Sequence, residues 1–174
     1  MAAARCIHLY HGDGKGKTTA AIGLALRAAG QHWRVGIAQF LKNGSSGEYA
    51  ALAALPGIVL FPTPSVIPFT FSMSPAERQE AQTFYQQLMQ QCRERASQLD
   101  LLILDEVLDA VYTNILPEDL LLDFLDHKPS ALEVVLTGRQ PSPAVCERAQ
   151  YITYMRKDRH PFDDGQCARR GIEW

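Results

Sequence analysis

Apolar runs of strand length recur along the chain, each followed by a stretch with helical spacing. Cys6–Tyr10, Val35–Phe40, Ile58–Phe61, Leu101–Leu104, Glu133–Thr137 and Tyr151–Met155 are the six runs. Most are continuously apolar, as expected for strands buried on both faces of a parallel sheet. The Ala/Leu-rich stretch from Lys17 to Ala29 predicts a helix that stops at Gly30, a residue suited to the C′ position. The longest helix starts at Ser74-Pro75-Ala76-Glu77, with Ser as N-cap, Pro at the first helical position and Glu three residues after the cap. Its apolar stripe is Ala81, Phe84, Tyr85, Leu88, Met89, Cys92, Ala96 and Leu99. Further helices follow Pro117 and Pro141. Alternating strands and helices predict an open α/β sheet that binds ligands beyond the carboxyl ends of its strands.

Two segments fit neither pattern. One runs from Phe61 to Ser74, with Pro62, Pro64 and Pro68 and the aromatics Phe69 and Phe71; the other is the tail from Arg156 to Trp174. Both are too long to be mere connections, and loops at the carboxyl edge are where function tends to sit. No repeat, low-complexity tract or linker divides the chain, so residues 1–174 read as one domain.

Composition narrows the function classes. Of 174 residues, 47% are hydrophobic and 21% charged, as in an ordinary soluble globule. A net charge of -2 carries no footprint for nucleic acid or an anionic membrane. No apolar run approaches the ~20 residues of a membrane span. Met1-Ala2-Ala3-Ala4-Arg5 lacks the apolar stretch of a signal peptide. Cys6, Cys92, Cys146 and Cys167 are far apart and form no C-x-x-C pair, which argues for reduced thiols in a cytoplasmic protein. The five histidines show no ligand spacing.

The chemistry concentrates between the first strand and the first helix. Gly12-Asp13-Gly14-Lys15-Gly16-Lys17-Thr18-Thr19 has the parts of a phosphate-binding P-loop, with His11 at the position of the usual first glycine. Glycines let backbone N–H groups turn around an anion, and the helix N-terminus adds its positive dipole end. Lys17 would serve the outer phosphates and the Thr18 hydroxyl Mg²⁺. The strand Leu101–Leu104 ends in Asp105-Glu106, the shape of a Walker B element. These carboxylates either hold the metal, with Glu106 also able to activate a water, or cap the following helix. Thr137-Gly138-Arg139 closes another strand, so Arg139 is either an anion clamp or a surface ion-pair partner. Gln39, Lys42 and Glu48 surround the end of the second strand and could face the same crevice; Glu48 could equally cap a short helix. Phe69 and Phe71 share a face of an extended segment, there to cover a flat apolar ligand or to tuck into the core.

Taken together, these residues resemble the P-loop corrinoid adenosyltransferases, also called cob(I)yrinic acid a,c-diamide adenosyltransferases. The resemblance runs from about Ile7 to Trp174. It rests on Gly12 to Ala21, Gln39-Phe40-Leu41-Lys42, Gly47-Glu48, Phe69-Thr70-Phe71, Leu104-Asp105-Glu106, Thr137-Gly138-Arg139, Pro161-Phe162-Asp163-Asp164-Gly165 and Ala168-Arg169-Arg170-Gly171-Ile172-Glu173-Trp174. The family typically has Asn where this chain has Asp13, and its alternating-glycine loop with a non-Gly first position accounts for His11. The resemblance implies a P-loop NTPase-like, RecA-like fold: a mostly parallel sheet flanked by helices. It implies transfer of the 5′-deoxyadenosyl group of ATP to the Co(I) of a corrinoid, with release of triphosphate, in cobalamin biosynthesis.

By the same resemblance, ATP lies reversed along the loop so that C5′ faces the corrinoid. Gly12 to Thr19, Gln39, Lys42, Glu48 and Arg139 then lie on the ATP side, with Lys17, Thr18 and Glu106 as catalytic residues. Thr18, Asp105 and Glu106 hold Mg²⁺. Aromatics of the family's Phe-Thr-Trp segment, which help displace the lower axial ligand of cobalt, map to Phe69 and Phe71. The second is Phe here instead of Trp, which keeps an apolar face but loses the indole N–H. Several relatives carry an N-terminal helical extension that can lie over the corrinoid; here only a few residues precede the first strand, so the expectation is a lid that is absent or supplied by another segment such as the tail. A flavoprotein reductant and a homodimer are further implications. Two other functions fit a P-loop with these residues: a phosphotransferase or ATPase, and a non-enzymatic ATP-gated corrinoid-binding protein.

Overall fold

The computed structural model describes residues 5–173; Met1–Ala4, the lead into the first strand, and Trp174, the end of the terminal motif, lie outside them. Six strands form one sheet: β1 (Ile7–His11), β2 (Val35–Gln39), β3 (Ile58–Leu60), β4 (Leu101–Asp105), β5 (Glu133–Gly138) and β6 (Tyr151–Tyr154). Their order is β3-β2-β4-β5-β1-β6, and every pairing is parallel. The carboxyl ends are flush: His11 pairs with Gly138 and Tyr154, and Gln39 with Asp105. Since β5 and β4 separate β1 from β2, helix α1 (Lys17–Ala29) crosses both of them to connect the two.

Alternation of side chains along each strand divides the core into two layers. Val35, Ile37, Leu101, Ile103 and Val135 face α1 and pack on Ala21, Ile22, Ala25 and Ala28, with Leu52 of α2 (Gly47–Ala53) beside them. Ala38, Leu102, Leu104, Val134 and Leu136 face the other way. They meet α3 (Pro75–Arg95), α4 (Val107–Tyr112), α5 (Glu118–His127) and α6 (Pro143–Arg148). The predicted stripe of the longest helix is the buried one, with Tyr85, Leu88, Met89 and Cys92 inside. Its capping box is complete: Glu77 N–H donates to Ser74 Oγ at 3.3 Å, and Ser74 N–H to Glu77 Oε2 at 2.8 Å.

Two expectations change. Gly30 is not the left-handed residue that ends α1; its φ is -61°, and the reversal falls on His32 at φ 61°. The chain continues turning past the helix, with Gln31 and His32 N–H groups bonded to Ala28 and Ala29 carbonyls. Phe69 to Ser72 is a turn, closed by Ser72 N–H donating to Phe69 O at 2.8 Å, and not an extended segment.

Candidate active site

The loop after β1 is shaped by a second segment. Gly12 N–H donates to Arg139 O at 3.1 Å, Gly14 N–H to Met155 O at 2.7 Å, and Met155 N–H to His11 O at 2.7 Å. A Cβ on Gly12 would lie 2.4 Å from Met155 O, and one on Gly14 would lie 2.7 Å from the same atom. These two glycines therefore admit the chain leaving β6, and their amides are engaged by protein carbonyls. Gly16, at φ 110°, turns the loop into α1, which begins with neither a capping side chain nor an acidic residue in its first turn. That helix end presents positive dipole charge without an internal anion to neutralise it. Lys17 Nζ donates to Gly14 O at 2.7 Å. Burial pulls its pKa down, as does Arg139, while Asp109 opposes the shift.

Beneath this helix end lies a row of buried polar side chains. Gln39, Asp105 and Thr137 stand at the carboxyl ends of the adjacent strands β2, β4 and β5, and they are the buried polar residues of the described core. Asp105 Oδ1 accepts from Thr18 Oγ1 at 2.9 Å and Thr137 Oγ1 at 2.7 Å. Its Oδ2 accepts from Lys42 Nζ at 2.7 Å. Lys42 Nζ also lies 3.2 Å from Thr18 Oγ1 and 3.4 Å from Glu106 Oε1. Gln39 carries both amide atoms buried, with no hydrogen-bond partner among the described residues.

Glu106 is held in the left-handed region, φ 60°, at the start of α4, where its N–H donates to Thr137 Oγ1 at 2.8 Å. Its carboxyl is pushed up to about 7 by burial, with Asp105 and Asp109 adding and Lys42 opposing. Burial by itself would lower the Lys42 pKa, but the Asp105 and Glu106 carboxylates raise it. Both acids of the pair thus engage Lys42, and the side chain of Glu106 does not cap α4.

Asp109, one turn into α4, is a site residue that the motifs did not single out. Its carboxylate accepts the backbone N–H of Arg139 and lies near the charges of Lys17 and Arg139; burial is the largest influence on it and raises its pKa. The available signal was its spacing, one helical turn after Asp105-Glu106. Arg139 is thereby fixed by its backbone on both sides, to Gly12 and to Asp109, with its guanidinium close enough to Lys17 to lower that residue's pKa. Glu48 joins none of these hydrogen bonds or ion pairs; it sits in the first turn of α2.

The aromatic loop is a separate surface. Phe69 is 75% and Phe71 87% exposed, so neither tucks into the core. Their rings stack at 5.4 Å with an 11° interplanar angle. Arg78 of α3 ties this loop to α4: Nη2 donates to Thr70 O at 3.1 Å and Nη1 to Thr113 O at 2.8 Å. Between the loop and α3 lies an apolar cleft of about 330 Å³ lined by Val66, Ile67, Met73 and Phe84, among others. The tail reaches back over the P-loop, where Asp13 Oδ1 accepts Lys157 N–H at 3.1 Å and Lys15 Nζ donates to Ile172 O at 3.2 Å. No helix among the described residues is long and apolar enough to cross a membrane.

The family model described as ATP:corrinoid adenosyltransferase BtuR/CobO/CobP matches residues 3–174. The chain is 32% identical over 171 residues to a corrinoid adenosyltransferase of Escherichia coli K12, covering 97% of this chain and 85% of that one. It is 30% identical over 171 residues to the corrinoid adenosyltransferase of Pseudomonas aeruginosa, covering 95% and 82%. Among solved structures, EssC (ATPases 2 and 3) of Geobacillus thermodenitrificans superposes with a TM-score of 0.50 at 16% identity, covering 98% of this chain and 36% of that one. That likeness bears on the fold alone, a sheet of the P-loop ATPase type.

Proposed function

The chain belongs to the ATP:corrinoid adenosyltransferase family, and from that premise we propose how its residues divide the work. The reaction joins the 5′-deoxyadenosyl group of ATP to a corrinoid. Co(I) attacks C5′ with its electron pair, the C5′–O bond breaks, and triphosphate departs with the bonding electrons. Co(I) carries no proton, so the protein needs no general base at the nucleophile. Its tasks are to hold C5′ in line with cobalt and to stabilise charge on the leaving group.

Lys17, Arg139 and the α1 N-terminus suit the second task, since three sources of positive charge converge on one loop. Residues Gly12 to Thr19 form the cradle, with Gln39 as an unpaired buried amide at its floor. A divalent ion fits the same floor: Thr18 Oγ1 and Asp105 Oδ1 are 2.9 Å apart, close to the spacing of adjacent corners of an octahedron with Mg–O distances of about 2.0–2.1 Å. Thr18, Asp105 and Glu106 would hold Mg²⁺, which when bound adds charge against the departing triphosphate. Phe69 and Phe71 offer the corrinoid an apolar face. The reading extends over residues 1–174 as one domain. A flavoprotein electron donor, a homodimer and a cytoplasmic setting are expected with it from the family resemblance.

The observation that carries the reading is the Arg78 link. Two exposed stacked rings offer a face to a flat apolar substrate, and one guanidinium joins their loop to α4, the helix that starts at Glu106 and bears Asp109. The test is an anaerobic reaction of ATP with chemically reduced cobalamin, following the visible spectrum and the phosphate products. Triphosphate with an alkylated cobalt is expected. ADP with phosphate would point to an ATPase, and tight binding of both substrates without a Co–C bond would point to a carrier. Lys17→Ala is expected to abolish turnover.

A further inference from the structure

The ammonium of Lys42 sits among the three side chains assigned above to the metal. Its contacts are Asp105 Oδ2 at 2.7 Å, Thr18 Oγ1 at 3.2 Å and Glu106 Oε1 at 3.4 Å, one acceptor for each of its three N–H bonds. Thr18 gives its own proton to Asp105 Oδ1, so Lys42 takes a lone pair that the hydroxyl would offer a metal. Asp105 is fully buried and accepts three hydrogen bonds.

Lys42 is placed there by the backbone. The preceding residue, Leu41, has a left-handed φ of 54°, and its N–H donates at 2.9 Å to the hydroxyl of Tyr85, a residue buried in the core on α3. Phe40 N–H donates to Asp105 O at 2.8 Å. The chain leaving β2 is thus pinned at the two residues that precede the lysine. Only 22% of the Lys42 side chain is exposed, so its charge is not simply solvated.

We propose that Lys42 is an internal counter-ion seated in the divalent-cation position, and that it yields this seat only when a triphosphate supplies its ammonium with other oxygens. The proposal rests on the reading of Thr18, Asp105 and Glu106 as the metal ligands. A divalent ion held by Thr18 Oγ1 and an Asp105 carboxylate oxygen would compete with the ammonium for the same two side chains and be repelled by it. Metal by itself is therefore excluded, and metal with nucleotide is admitted. The lysine keeps the buried carboxylate neutralised in the meantime, because an unpaired buried charge is strongly destabilising.

Mn²⁺, followed by electron paramagnetic resonance, is the probe. The wild-type chain is expected to bind Mn²⁺ at least about tenfold more weakly in the absence of phosphates than in the presence of inorganic triphosphate, after correction for Mn²⁺–triphosphate in solution. Lys42→Gln is expected to gain at least about tenfold in phosphate-free Mn²⁺ affinity, whereas Lys42→Arg, which keeps the charge, does not gain. Thermal melting gives an independent reading: Lys42→Gln melts lower than wild type in chelator and recovers with Mn²⁺, while the wild-type midpoint is unmoved by Mn²⁺ alone. Equal phosphate-free affinity in wild type and Lys42→Gln would overturn the proposal, as would equal wild-type affinity with and without triphosphate. Asp105→Asn tests the underlying assignment separately: an unchanged Mn²⁺–triphosphate signal in that variant would remove the metal site itself.

Discussion

Arg78 Nη2 donates to the carbonyl oxygen of Thr70 at 3.1 Å, and the same guanidinium donates through Nη1 to Thr113 O at 2.8 Å. One side chain of α3 thereby fixes the middle of the Phe69–Phe71 turn relative to the C-terminal end of α4. Hydrogen bonds from a charged donor contribute about 1.5–3 kcal/mol each, so the link is strong enough to set the turn's position. Arg78→Ala is expected to raise the corrinoid KM about tenfold and leave the ATP Kd unchanged. Arg78→Lys should recover little, since an ammonium does not reproduce the guanidinium fork. Steady-state kinetics varied in each substrate, with ATP titration calorimetry, checks both statements.

Phe71 is 87% exposed. Its removal should therefore cost no more than its stacking on Phe69 contributes, about 0.5–1.5 kcal/mol. Phe71→Ala is expected to stay folded, with a small drop in melting midpoint, yet to lose more turnover with cob(II)alamin and a reductant than with preformed cob(I)alamin. Equal losses with the two substrates would mean that the ring acts only in binding.

Much of this architecture was legible in the chain because strands of a buried parallel sheet read as uninterrupted apolar runs. The six strands follow from such runs, with β6 an exposed edge strand, and the helices from Lys17 and after Ser74, Pro117 and Pro141 follow from helical spacing and caps. Helix α4 was implied only as the helix following Asp105-Glu106, because Val107–Tyr112 is too short to display a stripe; the switch from β4 is marked by the left-handed backbone at Glu106. Helix α2 buries Leu52 alone and so carries no stripe. The motifs named Gln39, Asp105 and Arg139 separately. Their neighbourhood depends on strand order and register, which link residues from Gln39 to Thr137 through pairings that sequence spacing does not encode. The contacts of the tail with Asp13 and Lys15 were hidden for the same reason.

The glycines separate two structural demands. Gly12→Ala would drive a Cβ to 2.4 Å from Met155 O, a backbone atom, at a φ of 115°. A loss above about 1–3 kcal/mol is expected, together with loss of the β6 contact to the loop. Gly23 lies inside α1 with no atom within 4 Å of an added Cβ. Gly23→Ala should instead stabilise by about 0.5–1 kcal/mol through helix propensity. Urea unfolding of both variants measures the two signs.

The raised carboxyl of Glu106 makes stability depend on pH. Its folded pKa, pushed up to about 7 chiefly by burial, lies above that of an unfolded glutamate. The folded chain therefore binds this proton more tightly, and the contribution is complete below the ordinary carboxylate range and lost as pH rises through about 7. Glu106→Gln removes the titration. Relative to that variant, the wild-type urea midpoint should fall progressively from pH 5 to pH 8. A constant difference across this window would show that Glu106 ionises normally.

Asp13 places a carboxylate in the phosphate loop. Its Oδ1 accepts Lys157 N–H at 3.1 Å, and that bond foremost holds its pKa below the usual carboxylate range. The residue is therefore anionic at neutral pH, beside a loop built to receive a polyanion. Asp13→Asn keeps an oxygen acceptor for Lys157 and removes only the charge, so the tail contact should persist. ATP affinity is then expected to rise by about two- to fivefold at low ionic strength, the range of exposed charge interactions. Because the carboxylate is solvent-exposed, the gain must shrink as salt shortens the Debye length from ~30 Å at 0.01 M to ~3 Å at 1 M. Calorimetric titration of both forms across that salt series distinguishes charge from packing. A gain that persisted at high salt would mean that the substitution had altered the loop's shape, and no gain at any salt would place the triphosphate away from residue 13.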